Sequence, residues 1–150
     1  MRLLPGHDAD VAAFVGARAP MEPPVWNAGY VAFGVIRDDG ALVAGVVFHD
    51  WHEAFKRVEL SAATIDPRSF GPGILCQLGD YVFRQREMFR VWARTSVSNE
   101  RAQKFLKGIG FVPESVQSHW YGPKRHAITL RVTEPQWRQR WGGIELKKAA

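Results

Sequence analysis

Residues 58–73 read VELSAATIDPRSFGPG, and the punctuation of this stretch decides the fold class. Val58 to Ile65 is a β-rich run stopped by Asp66-Pro67. An apolar stripe at helical spacing, Ile74, Leu75, Leu78 and Val82, starts just past Gly71-Pro72-Gly73 and predicts a helix to about Met88. Arg90 to Val97 then alternates as a second strand. A strand that feeds a helix and returns as a strand is a crossover unit, which lays its two strands parallel.

The flanks extend the pattern in both directions. Upstream, Tyr30–Arg37 and Ala41–Trp51 are β-rich and joined by Asp38-Asp39-Gly40, a hairpin signal. Val11, Phe14 and Val15 behind a capping Asp8 predict a helix over about 8–19. Downstream, Ser98 or Asn99 caps a helix carrying Ala102, Phe105, Leu106 and Ile109, and Gly110 suits its left-handed end. Val112–Trp120 and Ala127–Val132 read as a closing pair of strands, and Glu134 to Arg140 as a short basic tail. The expected class is α/β (α+β), a mixed central sheet flanked by helices, in one domain over 1–150.

Composition supports one ordinary folded domain. The chain has 150 residues, 46% hydrophobic and 23% charged, enough to bury a core without staples. The one cysteine, Cys76, excludes an internal disulfide and a thiolate-rich zinc site. The longest uncharged apolar stretch, Gly40–Phe48, is about half of what a membrane span needs. Pro5-Gly6-His7-Asp8 interrupts any signal-peptide pattern, so a soluble, cytoplasmic protein without a membrane partner is expected. The net charge of +5 invites an anionic partner. No Lys/Arg run exceeds two residues, which makes a nucleic-acid-binding module an alternative rather than the leading reading.

Chemistry concentrates at the strand-to-helix turn Arg68-Ser69-Phe70-Gly71-Pro72-Gly73. Glycines there let backbone amides approach a ligand, and the following helix start offers unpaired N–H groups and partial positive charge. Arg68 can add a charge-assisted hydrogen bond. These are the parts of a pyrophosphate cradle.

A second segment, Ser98-Asn99-Glu100-Arg101-Ala102 through Gly110-Phe111, follows the next strand. With it the chain resembles the GNAT superfamily of acyl-CoA-dependent N-acetyltransferases over about 30–137. Arg68, Gly71 and Gly73 match the family's Arg/Gln-x-x-Gly-x-Gly/Ala turn, and Asn99, Ala102, Gly110 and Phe111 match its Asn-x-x-Ala helix ending in Gly-Phe. Tyr81-Val82-Phe83, Phe89-Arg90-Val91 and Trp137 look more like the branch with ribosomal-protein N-terminal acetyltransferases and phage-encoded relatives.

The resemblance implies an acetyl-CoA co-substrate and an amine acceptor, such as a protein or peptide, in a monomer or homodimer. It places the pyrophosphate on Arg68, Ser69, Phe70, Gly71, Gly73 and Ile74, and the pantetheine beside Ala63, Thr64 and Ile65, with Asn99, Ala102 and Phe105 on the far side. N–H groups near Thr64 and Ile65 would polarise the thioester carbonyl. It also places an acceptor pocket at Trp26, Tyr30, Trp51 and the Pro20–Pro24 stretch. Three departures stand out: Pro67 and Arg68 are adjacent, Pro72 offers no N–H, and Leu106 occupies the place of the family's acid tyrosine. An inactive acyl-CoA-binding protein is therefore the rival within the same fold.

An attacking lysine-like amine must lose a proton, at a cost of roughly 4–5 kcal/mol at pH 7, and an α-amine about 1. Glu59, the one acid within Val58–Ile65, is the candidate base. His119 and Tyr121, expected on the strand lining the far wall, are candidates to orient the amine or protonate the thiolate. His49, Trp51 and His52, interleaved with Asp50 and Glu53, hint at a metal cluster. Strand alternation, however, puts His49 and Trp51 on one face and Asp50 and His52 on the other, so no metal is expected.

Overall fold

The computed structural model describes residues 1–19 and 26–142. In chain order the elements are β1 (Arg2–Leu4), α1 (Asp8–Gly16), β2 (Val31–Ile36), β3 (Leu42–His52), β4 (Arg57–Thr64) and α2 (Pro72–Gly79). A π-helical segment, Asp80–Gln85, continues α2, and β5 (Arg90–Ser96), α3 (Glu100–Gly108), β6 (Val112–Gln117), β7 (Ala127–Thr133) and α4 (Glu134–Arg140) follow. The seven strands form one mixed sheet in the order β1-β2-β3-β4-β5-β7-β6. Only β4 and β5 run parallel; every other neighbouring pair is antiparallel. The hairpin, the crossover and the mixed sheet read from the sequence are all present.

Four local expectations need correction. Asp8 is the first residue of α1, not its cap: its carboxylate accepts from the Ala32 N–H of β2 at 3.1 Å. The helix after the glycine turn stops being α-helical at Gly79 and finishes as the π segment. The Glu134–Arg140 tail is a helix, whose start is marked by the Thr133 N–H donating to Gln136 Oε1 at 3.0 Å. That Thr-x-x-Gln spacing is a capping-box signal legible in the sequence. Last, β1 pairs with β2 although its three residues are too few to show periodicity.

Each face of the sheet packs on its own set of helices. Val11, Ala12 and Val15 of α1 cover Ala32 and Val47 on one face. The contact is close because Gly45 faces the helix: a Cβ there would lie 2.8 Å from Val11 Cγ1 and 2.9 Å from Val15 Cγ2. On the other face α2, the π segment, α3 and α4 bury Phe48, Val58, Val91 and Leu130, with Phe83, Leu106 and Trp137 among the helical contributions. Cys76 is buried here.

Candidate active site

The parallel ladder between β4 and β5 is short. It runs Arg57↔Arg90, Val58↔Val91, Glu59↔Trp92 and stops, while β4 continues to Thr64 and β5 to Ser96. Past Glu59, β4 stays paired with β3 and β5 with β7, so the sheet opens as a V with Glu59 at its apex. Ile65 N–H donates to Val43 O at 2.9 Å, which sets the alternation of the β3–β4 ladder. Glu59, Ser61, Ala63 and Ile65 therefore direct their backbone groups to β3, and Leu60, Ala62 and Thr64 direct theirs into the gap. Ile65, expected to polarise a carbonyl, has its N–H committed elsewhere. Leu60 and Ala62, which the sequence reading passed over, line the opening with Thr64.

The turn below β4 is tightly held. Thr64 Oγ1 and Ser69 Oγ both donate to Asp66 O, at 2.7 and 2.8 Å. Ser69 is fully buried, so its side chain braces the turn and does not face a ligand. Arg68 grips Asp66 through Nε (3.1 Å) and Nη2 (2.9 Å) while remaining exposed, and its Nη1 has no partner among the described residues. Hydrogen bonds from the Arg68 side chain and backbone hold the Asp66 carboxyl down at about 2. At α2, Pro72 is the first helical residue, and Gly73 and Ile74 follow with N–H groups that have no acceptor inside the helix. A Cβ added at Gly71 or Gly73 would meet nothing within 4 Å, so the approach to these amides is open. Arg68 and the two amides fit an anionic diphosphate despite the missing donor at Pro72.

Across the gap, Asn99 caps α3: its Oδ1 accepts from Ala102 N–H at 3.1 Å, which leaves the side-chain NH₂ as a donor. Phe70 and Phe105 pack 5.2 Å apart and bridge the turn to α3. Beneath them lies an apolar cavity of about 60 Å³, lined by Leu60, Ala62, Leu75, Phe105 and Ile109 among others. Leu106, where the resemblance places an acid tyrosine, is an apolar side chain buried in the core.

On the α1 face, Glu59 meets a polar cluster. Burial pushes its carboxyl up to about 7, with the Asp50 charge adding to the rise and Arg94 opposing it. His49 Nδ1 lies 3.9 Å from Glu59 Oε1 and 2.6 Å from Asp50 Oδ2. Burial also pulls Asp50 upward, but hydrogen bonds from His49 and Asn27 outweigh it and hold the carboxyl below its ordinary range. Alternation fails here because Asp50 adopts φ 55 and the β3–β4 register shifts between His49 and His52. That bulge turns Asp50 onto the same site as His49 and Glu59, their ligand atoms all within 4.8 Å of one another. The grounds for separating His49 from Asp50 are thereby overturned. His52 lies apart, its ring stacked on Phe55.

Other candidates fall on either side of this site. Trp26 stands edge-on to His49 at 5.0 Å and so borders the cluster, with Tyr30 beside it at 6.3 Å. Trp51 does not. The bulge sends it to the opposite face, where it packs with Phe48 and Tyr81 under Arg86. His119 and Tyr121 are not on a strand, because β6 ends at Gln117. Exposed His119 sits in the connection to β7, its Nδ1 accepting from Lys124 N–H at 2.9 Å and its ring against His126. Tyr121 belongs to the same turn, its N–H donating to Arg125 O. The Pro20–Pro24 stretch lies outside the described residues. Asn27, Ser61 and Arg94, none of them singled out in the sequence, complete the surroundings of Glu59.

No family model and no curated protein matches this sequence. Solved structures do match. A mutant form of the spermidine N-acetyltransferase of Vibrio cholerae aligns over 93% of this chain and 99% of its own, at 15% identity and TM-score 0.71. A further pair of mutant forms of that protein aligns over 93% and 98%, at 15% identity and TM-score 0.73. The same protein solved with manganese ions aligns over 93% and 95%, at 17% identity and TM-score 0.68. The chain has the fold of the GNAT-type N-acetyltransferases.

Proposed function

We propose that the protein transfers an acetyl group from acetyl-CoA to a primary amine by direct attack in a ternary complex, with Glu59 as general base. The observation that carries this reading is the V between β4 and β5, with a buried carboxylate at its apex. One side of the opening carries the diphosphate cradle and the other carries the polar cluster. Both substrates would therefore meet at Glu59 from opposite faces of the sheet.

Arg68 Nη1 and the N–H groups of Gly73 and Ile74 hold the diphosphate, and the edge N–H groups of Ala62 and Thr64 face the acyl end. Acetyl-CoA supplies the activated thioester. Glu59, ionising near neutral pH, removes the ammonium proton directly or through one water. Trp26 and Tyr30 wall the amine side. A thiolate with an ordinary pKa near 8.5 leaves without a dedicated acid, which suits the buried Leu106. The acceptor class is a primary amine: an α-amine, as the N-terminal acetyltransferase resemblance suggests, or a small polyamine such as the spermidine named for the structural relative. We place the protein as a single such domain. No helix among the described residues is long and apolar enough to cross a membrane.

Acetyl-CoA at 100 times its dissociation constant should stabilise the protein by about 2.7 kcal/mol, a rise of several degrees. Adding amines to that mixture should release free thiol. No thermal response at millimolar acetyl-CoA would sink the proposal. Gly73→Ala probes the cradle itself. Alanine favours the helix by roughly 0.5–1 kcal/mol, so the variant should melt slightly higher. Its methyl group should nonetheless weaken acetyl-CoA binding about tenfold by standing in the open approach to the amides. Unchanged affinity, measured by calorimetry, would move the diphosphate elsewhere.

A further inference from the structure

The His49–Asp50 contact is the middle of a longer chain of hydrogen bonds. Ser61 Oγ lies 2.8 Å from His49 Nε2, and Asp50 Oδ2 lies 2.6 Å from His49 Nδ1. The Asn27 amide donates to the other Asp50 oxygen at 2.5 Å. An ionised carboxylate only accepts, so the proton sits on Nδ1 and the Nε2 lone pair faces the serine hydroxyl. Ser61 is partly exposed, two residues past Glu59 in the opened part of β4, and its side chain shares a face with Glu59. The next N–H, that of Ala62, points into the gap. We propose that Ser61, His49 and Asp50 form a nucleophilic triad, through which the protein cleaves acyl-CoA thioesters by way of an acyl-serine when no amine is bound.

The roles follow from the bonds already made. His49 Nε2 takes the hydroxyl proton as Ser61 Oγ bonds to the thioester carbonyl carbon. The carbonyl oxygen gains charge, and Ala62 N–H is the donor beside it. The carbon–sulfur bond breaks, and His49 returns the proton to the leaving thiolate. A water molecule, deprotonated by His49, then attacks the ester, and the serine oxygen leaves with that proton. The sum is acyl-CoA plus water giving a carboxylic acid and free coenzyme A. Asp50 fixes the imidazole tautomer, and its left-handed backbone at φ 55 is what brings the carboxylate to His49. Burial keeps His49 below its usual range, so Nε2 is an unprotonated base at neutral pH.

The thioester half of this proposal rests on reading the gap as an acyl-CoA site, whereas the triad does not, and the test separates them. A fluorophosphonate probe should label Ser61, located by peptide mass spectrometry. Ser61→Ala should abolish labelling, and Ser115→Ala, on the exposed strand β6, should not. Asp50→Asn should slow labelling roughly 10²- to 10⁴-fold with the circular dichroism unchanged. With acetyl-CoA and no amine, the wild type should release thiol and, after acid quenching, carry an acetyl group on the Ser61 peptide. Absence of fluorophosphonate at Ser61 in folded protein overturns the triad, whatever the protein does to amines. Labelling of Ser61 without thiol release, in a preparation that acetyl-CoA stabilises, overturns the thioesterase activity while leaving amine acetylation standing.

Discussion

Glu59→Gln is expected to remove most acetyl transfer while making the protein more stable. The Glu59 side chain is only 14% exposed, and no hydrogen bond reaches its carboxylate among the described residues. Burial raises its pKa from 4.5 to about 7. The folded protein therefore binds this proton more tightly than the unfolded chain does. Stability falls as pH rises from about 4.5 to 7 and is level in this respect above it. Glutamine carries no charge to bury, so above neutral pH the variant should gain on the order of 2–3 kcal/mol, or about 5–10 °C in Tm. Loss of the base should cost roughly 10²–10⁴ in rate. Wild-type kcat/KM should climb through pH 7 and flatten, and that inflection should vanish in the variant. Equal rates for the two proteins would exclude Glu59 as the base. A rate loss with acetyl-CoA affinity retained would distinguish an enzyme from a protein that only binds the acyl donor.

The second large effect lies far from Glu59. Gly79→Ala should destabilise the protein by about 3 kcal/mol, near the upper end of ordinary overpacking. The added Cβ would sit 1.8 Å from Trp137 Nε1 and 1.9 Å from Cε2. Trp137 has nowhere to retreat: it is 5% exposed, donates to Leu75 O at 3.4 Å and packs against Phe83 at 5.5 Å. Either α2 lifts from α4 or the indole leaves the core. Thermal unfolding followed by tryptophan fluorescence should show a Tm lower by roughly 6–12 °C. Trp137→Ala alone should cost about 3–5 kcal/mol. The double variant should lose less than the sum, because the alanine fills space the indole vacates. A neutral Gly79→Ala would mean that α4 does not dock on α2.

These two residues show which readings the chain supported by itself. Glu59 could be chosen from sequence because it is the one acid in a short apolar strand. Trp137 could not be assigned, because its partner Gly79 is 58 positions away and no local pattern links them. The capping box at Thr133–Gln136 was legible as a helix start, yet where that helix docks was not. Trp51 and Asp50 were placed on the wrong faces because alternation holds only while the ladder is regular, and a bulge at Asp50 breaks it. The placement of His119 on a strand failed for a related reason: strand propensity ran past Gln117, where β6 ends.

By itself the sequence determined the order of elements from α1 to β7, the hairpin and crossover, the glycine turn and the choice of Glu59 as candidate base. Those features arise from interactions a few residues apart: hydrophobic period, capping and the special backbone freedom of glycine. The tertiary structure alone decided that β4 and β5 part after Glu59, that Arg68 is braced by Asp66, and that Ser61, His49 and Asp50 join in one hydrogen-bonded chain. Each of these depends on which strand neighbours which and on one residue of register. A shift of one residue exchanges the faces of every side chain while leaving composition and periodicity unchanged.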